Sequence, residues 1–378
     1  MHLRHTLLLS VLMLLSLAAA DLPLGRVVDP VAASGNSAQS YALYLPSSYT
    51  PGRPSPILYC LDPDGRGRGP VDLFAPAAEK AGFIVAGSNN SRNGSTEIQR
   101  EAIGWLLRDT HARLAIDDKR IYVAGMSGGA RLALVWAQNG AIAGVIACAA
   151  GFGKEFPKQA PFHLYLTAGV DDFNYDEMFD NSLELARRGI AHRFVEFDGG
   201  HDWPPEPVAA QAFDFFLGKL PPQAAEASKR QRKLAVQLDS IMKQAEYASD
   251  SEQRAIFSAM RKDAAKPEDS DDRRVARRAL AGVYVGSMEQ AQATMARKDY
   301  DNAARFLDAA VMVRPDDANT WYQLAVARAG ARDKRRALEA LEQAVTVGFH
   351  DRARMDVEPL LDRLHNEARY QALLEKMK

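Results

Sequence analysis

Between residues 39 and 197 the chain alternates short apolar runs with stretches whose apolar residues recur at helical spacing. The runs are Gln39–Leu45, Pro56–Leu61, Phe83–Ala86, Ile121–Ala124, Gly144–Ala147, His163–Leu166 and Arg193–Phe197. Their length and their aliphatic and aromatic content predict strands. Helical spacing predicts helices at 72–81, 97–115, 128–139, 175–189 and 206–218. A strand covered on both faces has no solvent side to mark with polar residues, so its run reads apolar throughout. Such runs, alternating with helices, predict an α/β fold with a mostly parallel sheet and helices on both faces.

The pattern changes near residue 222. Residues 21–222 hold 41 charged residues and 22 glycines, whereas the shorter stretch 223–378 holds 53 and four. Pro221 and Pro222 mark the change, since neither can continue a helix. The expectation is an α/β domain over 21–222, a helical linker over 223–283 and an all-α domain over 284–378. Within that last stretch a 34-residue period aligns Ala303, Leu307 and Ala310 with Ala337, Leu341 and Ala344. Small residues at fixed positions of such a period allow close packing of paired helices. This part resembles tetratricopeptide repeats, which implies a surface for a protein or peptide partner or, equally, a structural appendage.

Three bulk features narrow the function. His2, Arg4 and His5 precede an apolar run from Thr6 to Leu17, and Ala18-Ala19-Ala20 follows with the small residues of a cleavage site. This predicts a signal peptide over 1–20 and a secreted or periplasmic chain with no membrane span once mature. The net charge of −1, without any basic block, argues against nucleic acid. Cys60 and Cys148 fall at the ends of strands expected two places apart in the sheet, so no disulfide is expected between them.

The chemistry-bearing stretch is Val123–Ala133, which begins as a strand and ends as a helix. Gly125-Met126-Ser127-Gly128-Gly129 matches G-x-S-x-G, a sharp turn that exposes its serine above a helix N-terminus. The flanking glycines remove side chains that would collide across the turn. A serine needs a base, and the base an orienting acid, in the chain order Ser, Asp or Glu, His. Of the six histidines after residue 20, His201 is the one in the loop that directly follows the last strand, in Gly199-Gly200-His201-Asp202-Trp203. His163 precedes the acid position; His111, His192, His350 and His365 read as solvated surface residues. Asp172 fits the acid position after the strand at 163–166, with Asp171 and Asp176 as fallbacks.

Stabilising an oxyanion takes two N–H donors. Gly128 is expected to supply one. Pro63 has no N–H, so Asp64 or Gly65, in the loop Asp62–Gly69, is expected to supply the other. Arg66, Asn89, Arg92 and Trp203 are the candidate substrate contacts. No Walker or dinucleotide spacing and no zinc-ligand spacing is present, so neither cofactor nor metal is expected.

The segments 116–133, 167–174 and 199–204 together resemble the α/β-hydrolase superfamily. They are most similar to the small secreted esterases of the polyhydroxybutyrate-depolymerase, feruloyl-esterase and dienelactone-hydrolase-like group. The resemblance implies Ser127 as nucleophile, Asp172 as acid and His201 as base. Many members carry His-Gly where this chain has Asp62-Pro63, which bears on the second oxyanion donor.

About 14 residues separate Cys148 from His163, too few for a helical lid, so a small or polymer-borne ester is the expected substrate. Two alternatives follow from the same residues. One is a partner-binding protein whose repeats do the work on a hydrolase-fold scaffold. The other is a peptidase using the same triad.

Overall fold

The computed structural model describes residues 22–153, 159–226 and 228–377. The expected leader over 1–20 lies outside the described residues. The chain divides into two compact units, one up to Gln231 and one from Arg232. Among the described residues no helix is long and apolar enough to cross a membrane.

The first unit is built on eight strands: β1 (Val27–Ala33), β2 (Asn36–Tyr44), β3 (Ser55–Leu61), β4 (Ile84–Ser88), β5 (Ile116–Met126), β6 (Gly144–Cys148), β7 (His163–Gly169) and β8 (His192–Phe197). They form one sheet in the order β1-β2-β4-β3-β5-β6-β7-β8. β2 is antiparallel to both its neighbours, and every pairing from β4 to β8 is parallel. Alternate residues of the same buried run serve opposite faces. Ile57, Tyr59 and Leu61 pack with Leu106, Ala133 and Met178, under α2 (Thr96–Arg113), α3 (Gly128–Asn139) and α4 (Tyr175–Arg187). Leu58 and Cys60 pack with Phe74 and Phe213, under α1 (Arg68–Ala81) and α5 (Glu206–Phe216). Both faces are dry, which is why these strands carry no polar phase.

Three elements differ from the sequence expectation. β1 was not expected, because Val27–Ala33 contains Pro30 and is only half-buried. It is an edge strand with a register shift between Val28 and Val31, the one place in a sheet that tolerates proline. α1 begins at Arg68, within the Gly/Arg run expected to be loop. Gly67 lies so close to β4 that a Cβ on it would stand 2.2 Å from the Gly87 carbonyl oxygen. Past Pro222 the chain stays on the sheet rather than leaving it. The Phe194 N–H donates to the Gln223 carbonyl (2.7 Å) and the Gln223 N–H to the His192 carbonyl (2.8 Å), covering the edge of β8.

The second unit is all-helical: α6 (Lys229–Tyr247), α7 (Asp250–Ala264), α8 (Asp271–Ala296), α9 (Tyr300–Val313), α10 (Ala318–Gly330), α11 (Lys334–Thr346), α12 (Arg352–Val357), a 3₁₀ turn at Pro359–Leu364, and α13 (Ala368–Lys376). The stretch 223–283 is not a mere linker. Phe257, Met260, Ala276 and Ala279 form a buried cluster with Val313, and α8 runs unbroken across the expected boundary at 283. The 34-residue period is visible in the caps. Asp299 accepts from the Asn302 N–H and Asp333 from the Arg336 N–H, opening α9 and α11 alike. Ala303 and Ala337 are both fully buried at the helix contacts.

Candidate active site

Ser127 sits between the end of β5 and the start of α3 with φ 53° and ψ −122°. A positive φ on a residue with a Cβ is strained by about 1–3 kcal/mol, and the surroundings must hold it. Here the Ser127 N–H donates to the Cys148 carbonyl at the end of β6 (2.9 Å), while its own carbonyl accepts from the N–H groups of Ala130 and Arg131. The flanking glycines are sterically required. A Cβ on Gly125 would stand 2.1 Å from the Gly129 oxygen, and one on Gly129 would stand 2.0 Å from the Leu61 oxygen.

The candidate base and acid, His201 and Asp172, come from the loops after β8 and β7. Gly169, at the end of β7, lets these loops cross, since a Cβ there would stand 2.3 Å from the Gly200 oxygen. The Asp171 N–H donates to the Gly199 carbonyl at 2.9 Å and ties the crossing. His201 Nε2 lies 2.8 Å from Ser127 Oγ, and His201 Nδ1 lies 2.8 Å from Asp172 Oδ1. Asp172 is fully buried, and its Oδ1 also accepts from the Asn174 N–H. A carboxylate only accepts, so Asp172 places the proton on Nδ1 and leaves Nε2 to take one from the serine. Phe173 covers the imidazole, with ring centroids 4.1 Å apart. The structure thus brings Ser127, His201 and Asp172 into one hydrogen-bonded chain; the fallbacks Asp171 and Asp176 are outside it.

A mostly parallel sheet with helices on both faces carries a serine elbow after β5, an acid after β7 and a histidine after β8, all at the carboxyl edge. The first unit has an α/β-hydrolase fold. No family model matches the chain, and no curated protein matches it in sequence. Among solved structures, the chain is similar to a ferulic acid esterase at 18% identity, covering 52% of this chain and 98% of that one with a TM-score of 0.42. It is similar to the substrate-bound fluorophosphonate-binding serine hydrolase F of Staphylococcus aureus at 16% identity, covering 47% and 92%, TM-score 0.39. An esterase of Pyrobaculum calidifontis is similar at 15% identity, covering 57% and 92%, TM-score 0.41.

The loops after β3 and β4 depart from expectation. The Asp64 N–H does not point at an incoming oxyanion: it donates to Asp62 Oδ1 at 2.9 Å. The N–H groups of Gly65 and Arg66 also turn back onto Asp62, to its carbonyl (3.2 Å) and to Oδ1 (3.3 Å). An aspartate followed by proline forms this kind of turn readily, because its side chain mimics a backbone acceptor. Asp62 is only 2% exposed, and sequence reasoning gave it no role.

Three of the four expected substrate contacts instead support this loop. Arg66 forms ion pairs with Asp62 and Asp64, and the Asp62 hydrogen bond holds its guanidinium even more firmly protonated. Trp203 donates Nε1–H to Asp62 Oδ2 at 3.0 Å and packs edge-on against Phe74. Asn89 is consumed by structure: its Oδ1 accepts from the Gly67 N–H, and its Nδ2 donates to Asp29 and Ser40. Arg92 is exposed, and its backbone pairs with Asp64 in an isolated bridge. Nor is His192 a surface residue. It is 2% exposed, with Nε2 at 2.6 Å from Ser182 Oγ and Nδ1 at 2.9 Å from the Ile190 carbonyl.

Proposed function

We propose that the chain is an exported serine hydrolase that cleaves carboxylic esters through an acyl-enzyme. The observation that carries this reading is the pair of 2.8 Å hydrogen bonds linking Ser127, His201 and Asp172 on a strained elbow. His201 Nε2 takes the proton from Ser127 Oγ as the oxygen adds to the ester carbonyl. The carbonyl π pair moves onto oxygen, beside the Gly128 N–H at the start of α3, whose helix dipole favours that charge. His201 then gives its proton to the departing alkoxide, leaving acyl-Ser127 and a free alcohol. Water repeats the cycle: His201 takes its proton, the hydroxide adds to the acyl carbon, and Ser127 leaves with the proton restored.

The short connection from Cys148 to His163 favours a small or polymer-borne ester over a long acyl chain that needs a lid. Export rests on the apolar run Thr6–Leu17 and the alanines at 18–20, and a secreted or periplasmic product would begin near Asp21. The test treats the purified protein with a fluorophosphonate and measures intact mass, with Ser127→Ala alongside, before a panel of esters. One adduct on the wild type and none on the variant is expected. A folded wild type that takes no adduct would overturn the assignment, and the same mass measurement on exported material reads the mature terminus.

A further inference from the structure

We propose that the second oxyanion donor is the side-chain carboxamide of Asn93, in the loop between β4 and α2, which places a catalytic residue outside the triad. This rests on the serine-hydrolase reading above and extends it.

The ordinary source of that donor, the backbone after β3, is spent. Pro63 has no N–H, and the next three N–H groups all return to Asp62. Meanwhile another polar group stands at the first donor. A Cβ built on Gly128 would lie 1.9 Å from Asn93 Oδ1, 2.8 Å from its Cγ and 3.2 Å from its Nδ2. The Asn93 carboxamide therefore fills the space that any side chain at 128 would occupy, beside the residue whose N–H opens α3. Gly128 is thereby explained by a demand separate from the turn itself: it leaves room for the amide.

Asn93 is well held. Its N–H donates to the Pro63 carbonyl at 2.7 Å, the neighbouring Arg92 bridges to Asp64, and Gln99 on α2 donates to the Arg92 carbonyl. The two loops at this side of the mouth are thus stitched together, with the amide between them and the elbow. No hydrogen bond from a described residue engages the Asn93 carboxamide. A carboxamide has the same shape after half a turn about Cβ–Cγ, which exchanges Oδ1 and Nδ2. Negative charge forming beside the Gly128 N–H selects the Nδ2–H face, so Asn93 would donate as the charge develops and release it as the tetrahedral species collapses.

The test measures hydrolysis of p-nitrophenyl acetate and the rate of phosphonylation by a fluorophosphonate. The proteins are the wild type, Ser127→Ala, Asn93→Ala, Asn93→Asp, Gly128→Ala and the double variant Asn93→Ala/Gly128→Ala. Losing one oxyanion donor is expected to lower kcat about 10²–10³-fold with KM little changed. Asn93→Asp keeps the shape and loses the donor, so it should lose at least as much as Asn93→Ala; a merely steric role would be preserved by Asp. Gly128→Ala keeps its own N–H but pushes the carboxamide aside. Its cost should largely vanish in the Asn93→Ala background, as coupled residues require. Ser127-dependent activity that survives Asn93→Ala and Asn93→Asp to within a few-fold, or additive costs in the double variant, would overturn the Asn93 assignment and leave the triad standing. A folded wild type that neither turns over nor labels would instead overturn the reading beneath it.

Discussion

The two sides of the active-site mouth are built on opposite principles. On the side of Ser127, from β5 to β8, each candidate side chain is placed by backbone strain and glycine crossings, and apart from the Asn174 N–H on Asp172 their hydrogen bonds run along the Ser127–His201–Asp172 chain. On the other side, after β3 and β4, the side chains serve one another. Asp62 gathers N–H groups from Asp64, Arg66 and Trp203, and Asn89 gathers Gly67, Asp29 and Ser40. The contrast teaches that charged and amide residues in a glycine-rich loop at a sheet edge can be the frame of a site rather than its contacts.

The largest expected effect lies on the triad side. Ser127→Ala should lower ester turnover at least about 10⁴-fold while the melting temperature stays near that of the wild type, because the variant removes one hydroxyl from a pinned turn. Steady-state kinetics beside a thermal melt checks both. If turnover survives, the contrast between the two sides collapses, for the triad would then be as structural as the loop.

Asp62→Ala should act in the opposite manner, through stability first. Removing the carboxylate strands the half-buried Trp203 Nε1–H, at about 1–3 kcal/mol for a donor left unsatisfied, and loosens the turn that the exposed Asp64 N–H helps to close. Turnover should fall about tenfold to a hundredfold as the loop shifts against the elbow. Denaturant titration and kcat together would show both losses. An activity loss with no stability loss would instead make Asp62 a participant in the chemistry. Trp203→Phe keeps the ring against Phe74 and removes only the N–H, so about 1 kcal/mol and a small change in rate are expected.

These differences decide what the sequence could be read to say. The runs that became β3 to β7 were legible because a strand dry on both faces reads apolar throughout, and β8, buried only at alternate positions, was legible from its aromatic and aliphatic residues. β1 was not, since an edge strand with Pro30 has neither that run nor an alternation. Ser127, Asp172 and His201 were legible because the chain order of a strand-end triad follows from topology. The role of Asp62 was not, because it depends on a side chain folding back onto its own turn and on a tryptophan far along the chain. Asn93 stood in plain view among the polar residues 88–93, but nothing in composition distinguishes it from Asn89, whose amide is buried in structure. In the second unit the 34-residue period could be read from Ala303 and Ala337. The packing of 223–283 could not, as its helices are polar on most of their surface.

The smallest expected effect separates the two ends of a single strand. His201 follows β8 and is hydrogen-bonded between Ser127 and Asp172, whereas His192 opens β8 and is locked between Ser182 and the Ile190 carbonyl. In phase with buried Phe194 on the same strand, His192 carried a sign of burial that its position beside a turn disguised. Burial lowers its pKa below the ordinary 6.5, with the Ile190 contact opposing only in part. The unfolded chain therefore takes up a proton at His192 before the folded one does. Stability from this residue is fully present above pH 6.5, and it is lost as pH falls through the window between 6.5 and the lowered folded value. Urea unfolding of the wild type should show a drop across that window, and His192→Asn should flatten it while leaving turnover at neutral pH unchanged. A His192→Asn variant with the wild-type slope would place the titration elsewhere. One that lost turnover would mean that the far end of β8 is coupled to the mouth, and that the boundary between frame and chemistry runs along the strand rather than around its edge.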